Sequence, residues 1–234
     1  MPTAFKGVYF SGMDCSRQCD SLRICIDNFV PSDFVVPRVL AVYSAAITLS
    51  EDDLMKAAIE LALRKGAKGE QLREIVLQSY LFLGFPRMLS AADCLSKEIG
   101  CSKAADMTLE VSSGEAELWS NRGVELCKKV YGGNYELLKS RVKDMEPEVF
   151  RWMIFEGYGK VLSRPELDIV SREISIVAFL MVENRPRQLH SHMCGALNVG
   201  APAELLRSVV SDLREVAGKG YQTAHGILER LKVS

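Results

Sequence analysis

Apolar residues recur along most of this chain at intervals of three and four, the spacing that places them on one face of a helix. No alternating apolar and polar run is bounded by an Asn-Gly or Asp-Gly turn, so β-hairpins are not expected. Two stretches are apolar on every side, Val39 to Leu49 and Ile174 to Val182. Their length and alanine content favour buried helices, although periodicity alone leaves buried strands open. Helices are predicted near Ala116–Tyr131 and Tyr135–Asp144, separated by Gly132-Gly133-Asn134. The pattern predicts an all-α fold. Residues 1–36 form an N-terminal arm without a strong period.

Shifting the chain on itself by 134 residues aligns Pro37–Val76 with Ser171–Val210 without a gap, with nine identities in 40 positions. They include Arg38/Arg172, Gly66/Gly200, Ala67/Ala201, Glu70/Glu204 and Arg73/Arg207. Each copy reads as a long apolar helix, a turn, a second helix, a glycine stop at Gly66 or Gly200, and a third helix with an acid in its first turn. Ser50 followed by Asp53 resembles a capping box, and Asn184 before Pro186 is the matching candidate N-cap. The implied organisation is an arm over 1–36, a degenerate first repeat over 37–100, a helical connector over 101–145 and a second repeat over 146–234. Two such units in one chain would pack as a pseudo-symmetric pair, as two subunits of a homodimer do.

Composition narrows the function without naming it. The 234 residues carry 29 basic and 30 acidic side chains, a formal net charge of −1, which provides no excess of cations for a nucleic-acid partner. No apolar run approaches the roughly 18 residues of a membrane span, and the first residues lack the pattern of a signal peptide, so a cytoplasmic location is expected. The seven cysteines include no CxxC pair. Cys15, Cys19 and Cys25 cluster near the N-terminus, but their spacing is not that of a structural zinc site. Reduced thiols, no metal and no cofactor are the expectation.

Helical projection singles out Glu173 and His192. Glu173 falls on the apolar stripe of Ile176, Val177, Leu180 and Met181, where a carboxylate is costly without a partner. His192 lies at the edge of the stripe of Leu189, Met193 and Ala196. At 1.5 Å per residue they stand about 13.5 and 9 Å from the hairpin turn, within one helical turn of each other. Such a pair suits proton transfer, and it is equally what a buried structural pair would be. The first copy has Val39 and Ala58 at the matching positions, so this hairpin does not need the pair to fold. Arg185 and Arg187 flank the turn, where they could hold a substrate carboxylate or simply be solvated. His190 and Cys194 are spaced for a thiol–imidazole pair on one helix face. Tyr158 belongs to an aromatic run with Phe150, Trp152 and Phe155.

The segment Glu156 to Asp168, followed by Ser171-Arg-Glu-Ile-Ser-Ile-Val-Ala178 and Gln188-Leu-His-Ser-His192-Met-Cys-Gly, resembles the carboxymuconolactone decarboxylase family, which shares its helical fold with the AhpD alkylhydroperoxidases. The resemblance is strong over 146–210 and weaker over 37–100, where Gly84-Phe85-Pro86-Arg87 carries it. It implies antiparallel helical hairpins in a symmetric homo-oligomer, commonly a trimer or hexamer, with a cofactor-free site. Glu173 and His192 fall on the Glu and His of the peroxidase pattern, but its cysteine positions hold Arg185 and Gln188. Disulfide-based peroxidase chemistry is therefore not implied. The resemblance implies instead a lyase acting on a small carboxylated, lactone-type substrate. Glu173 and His192 would move the proton, and Arg185, Arg187, His190 and Tyr158 would contact substrate. The alternatives are thiol-redox chemistry at Cys194 and an oligomer without activity.

Overall fold

A computed structural model describes residues 12–101 and 110–231, with side chains from residue 16 onward. Among them every regular element is helical. The first stretch holds α1 (Gly12–Asp27), α2 (Val35–Leu49), α3 (Asp52–Arg64), α4 (Gly69–Leu83) and α5 (Phe85–Ile99). The second opens with α6 (Ser113–Tyr131), α7 (Tyr135–Met145) and α8 (Pro147–Trp152), which runs into a π-helical segment, Met153–Leu162. It continues with α9 (Ile169–Val182), α10 (Pro186–Asn198), α11 (Ala203–Asp212), α12 (Arg214–Ala217) and α13 (Lys219–Arg230).

The two stretches whose periodicity was ambiguous are α2 and α9, and they pack on each other at the centre. Every residue from Arg38 to Thr48 is buried, as is every residue from Ser171 to Val182. A helix apolar on all sides must be covered on all sides, so these two are enclosed by the rest of the chain. α3 and α4 cover α2, while α10 and α13 cover α9.

Helix boundaries recur along the chain. Both ends of α10 stand 134 residues after those of α3, and α11 with α12 spans the same interval relative to α4. The buried arginines at this spacing make cross-ties between the two stretches. Arg38 on α2 grips Asp212 with two hydrogen bonds of 2.7 and 2.8 Å. Arg172 on α9 binds Glu74 at 2.8 Å and Gln78 at 3.3 Å. The N-terminal arm, expected to be aperiodic, contains α1, whose Leu22 and Ile26 are buried in the core.

Two expected caps are corrected. Ser50 is not an N-cap: it ends α2 in the left-handed region at φ 61°, its N–H bonded to Ala46 O, and Glu51 precedes α3. Asn184 takes the equivalent conformation at φ 50°, and Arg185 precedes α10. Both turns use a polar residue to reverse the chain, because Ser and Asn tolerate positive φ better than branched residues do. Asp168 does cap α9, accepting from Ser171 N at 2.9 Å.

Candidate active site

The α9–α10 hairpin sets Glu173 against His192. Glu173 is fully buried and His192 is 7% exposed. Imidazole Nδ1 lies 2.8 Å from Glu173 Oε2. With the carboxylate ionised, Nδ1–H donates to it, which leaves Nε2 as the nitrogen available to a ligand. Phe82 of α4 presses on the imidazole edge-to-face, ring centroids 5.5 Å apart at 85°. Phe82 also stacks on Phe179 of α9, ring centroids 6.1 Å apart, so the imidazole is held between α10, α9 and α4.

Gly195, one helical turn beyond His192, makes room for the carboxylate. A Cβ there would stand 2.9 Å from Glu173 Oε2 and 2.7 Å from Val130 Cγ1. The absent side chain lets α6 and α9 both approach α10 at this point. A second close approach joins α6 to the π-helical segment. A Cβ on Gly123 would meet Ile154 O at 2.1 Å, and one on Gly159 would meet Trp119 O at 2.0 Å. This packing presents Tyr158 from the π-helical segment beside Tyr131 of α6, their rings 6.3 Å apart.

Three groups around Glu173 are held in their protonated forms by burial. Burial, with Glu173 nearby, pushes the Cys127 thiol up to about 12. Burial raises Tyr131 to about 12 as well, although a hydrogen bond from Tyr158 works the other way. Tyr158 is raised further by burial and by the neighbouring Tyr131 and Glu173. All three therefore stay protonated through neutral pH. Glu173 Oε1, by contrast, is buried and meets no hydrogen-bond donor among the described residues. An acceptor left this way costs on the order of 1–3 kcal/mol, and native structures seldom leave one unexplained.

No family model matches the chain. It is similar to Peroxisomal protein 2 of Schizosaccharomyces pombe, with 25% identity over 154 residues, covering 63% of this chain and 68% of the yeast protein. No helix among the described residues is long and apolar enough to cross a membrane. The described residues contain no group of three or more His, Cys, Asp or Glu placed to hold a metal, and the side chain of Cys15 lies outside them.

The structure gathers some of the residues singled out in the sequence and separates others. Glu173, His192 and Tyr158 converge. Arg185 is exposed and bound to Glu183 at 3.0 Å, and Arg187 and His190 are exposed. His190 Nδ1 lies 4.0 Å from Cys194 Sγ, and burial raises the Cys194 thiol. A thiol pushed in that direction holds less nucleophilic thiolate, which disfavours redox chemistry there. Val39 and Ala58, at the positions matching Glu173 and His192, are fully buried apolar contacts. Phe82, Cys127, Tyr131 and Gly195 escaped the sequence reading. Glycine in the middle of a helix was the one local signal among them.

Proposed function

We propose that this chain is a tandem member of the carboxymuconolactone decarboxylase family and a cofactor-free lyase for a small carboxylated, lactone-type substrate. The observation that carries this reading is the buried Nδ1–Oε2 contact between His192 and Glu173, which reserves Nε2 for proton transfer. In the reaction, the bond from the ring carbon to the substrate carboxylate breaks and CO₂ leaves. The electron pair passes into the unsaturated lactone as an enolate, and Nε2–H of the imidazolium returns a proton to carbon. Glu173 holds the ring in register and balances the imidazolium charge. The recurrence of helix boundaries and of the two arginine cross-ties at one spacing supports the two-copy reading, in which only the second copy carries chemistry.

The same reading takes the assembly to be a symmetric homo-oligomer, a trimer or a related form, which light scattering on the purified chain tests. For location, a compartment that receives folded soluble protein fits, either the cytoplasm or, by the yeast relative's name, the peroxisome. Imaging the tagged full chain decides between them. The activity test is CO₂ release from a panel of carboxylated lactones and unsaturated acids. Wild type should release CO₂ from at least one, and His192→Ala should lower the rate by about 10²–10⁴-fold, the usual share of acid–base catalysis. Absence of release from the whole panel sinks the lyase reading.

A further inference from the structure

Glu173 uses only half of its carboxylate among the described residues. Oε2 meets the imidazole, while Oε1 is buried without a donor. No neighbour among the described residues supplies one. Gly195 has no side chain, Val130 is apolar, the Tyr158 hydroxyl donates to Tyr131, and neither the Tyr131 hydroxyl nor the Cys127 thiol, both near Glu173, reaches Oε1. Packing does not call for a carboxylate here either, since Val39 and Ala58 fill the matching positions of the first stretch with no exposure at all. An acceptor maintained at this depth, beside an imidazole with one free nitrogen, calls for a donor that arrives with a ligand.

We propose that Glu173 Oε1 is a ligand-binding atom, accepting a hydrogen bond from a hydroxyl or enol O–H carried on a compact apolar frame. The frame follows from the surroundings: Phe82 stands edge-on to His192, Val130 lies against Gly195, and the paired Tyr131 and Tyr158 rings stand beside them. This deepens the acid–base reading of the same site, because it adds a hydroxyl to the features its substrate must have. A molecule lacking that hydroxyl leaves the buried oxygen unpaired and is discriminated against.

The test uses p-nitrophenol, whose neutral and ionised forms absorb differently, titrated into the full chain near the midpoint of the free phenol's ionisation. Wild type should bind the neutral phenol and hold it neutral at pH values where the free phenol is mostly ionised. Glu173→Gln should bind about ten-fold more weakly or more, and without preference for the neutral form. Circular dichroism checks that the variant folds, and the protonation state of the bound probe in wild type is decisive by itself. Binding of the phenolate form, or no binding at millimolar probe, overturns the proposal, as does equal binding by a folded Glu173→Gln. The lyase reading fails separately: neutral phenol bound without CO₂ release from any acid removes the reaction and keeps the hydroxyl site.

Discussion

At the scale of single residues, the Glu173–His192 pair was legible because a hairpin makes it almost local. Nineteen positions separate the two, and helical rise fixes where each stands relative to the turn. Tyr131 and Cys127 were not legible in the same way. They arrive from α6, on a different segment of the chain, and nothing in the periodicity of α6 names what it will pack against. Gly195 shows how a site alters its surroundings. Its counterpart 134 residues earlier is Leu61, a buried leucine at 2% exposure. A large side chain fits that position when Val39 lies opposite, and no side chain fits it when Glu173 does. Gly195→Ala should therefore destabilise the chain by about 1–3 kcal/mol, the usual range for overpacking. It should also move the imidazole NMR signals of His192 at fixed pH, since the new Cβ crowds the oxygen that the imidazole binds. An unchanged melting temperature together with unchanged imidazole signals would contradict this account of the glycine.

Among elements, the helices themselves were readable and their ends were not. Apolar periodicity located α6 and α7 to within a few residues, and the glycines between them did break the chain. Ser50 and Asn184 misled because both residue types serve two purposes. Each caps helix starts, and each also tolerates the positive φ that closes the turn before the next helix. The end of α9 carries a further device beside Arg185, for which the sequence left a substrate contact and a solvated side chain both open. Glu183 accepts from Arg87 of α5 and from Arg185, tying the hairpin turn to the start of α5. Burial raises the Glu183 carboxyl, but the two guanidiniums outweigh it, and the net shift is below the ordinary 4.5. A carboxylate held low in the folded state stabilises that state above its ordinary value, and the contribution fades as the pH falls through the lowered value. Because Arg87 is 37% exposed, Arg87→Ala should cost only about 0.5–1 kcal/mol at neutral pH. The gap between variant and wild type in urea unfolding should close on acidification. A gap that widens in acid would mean that Glu183 is not the partner that matters.

For the whole molecule, the question is whether two similar stretches of chain make two folding units or one. The central contact argues for one. α2 and α9 are each buried on every face, and each supplies a large part of the other's cover. Separation would bare both, at roughly 1.5–3 kcal/mol for each large aliphatic side chain returned to water. The charged cross-ties sharpen the penalty. Arg38 finds Asp212 only in the second stretch, and Glu74 finds Arg172 only there. Removing a partner from a buried pair is strongly destabilising, about 3–5 kcal/mol, because the remaining charge stays behind without compensation. On the proposed duplication, the chain is a covalent version of an isologous pair, with no stable half. Residues 1–101 expressed alone should therefore fail to show cooperative unfolding, although their helices have strong local periodicity. The full chain should unfold in one transition, superimposable by circular dichroism and by tryptophan fluorescence, since both tryptophans, Trp119 and Trp152, lie in the second stretch. Two resolved transitions, or a cooperative 1–101 fragment, would show that the halves are separate domains. The buried cross-ties would then be interface contacts, and the first stretch would have to be examined for a function of its own.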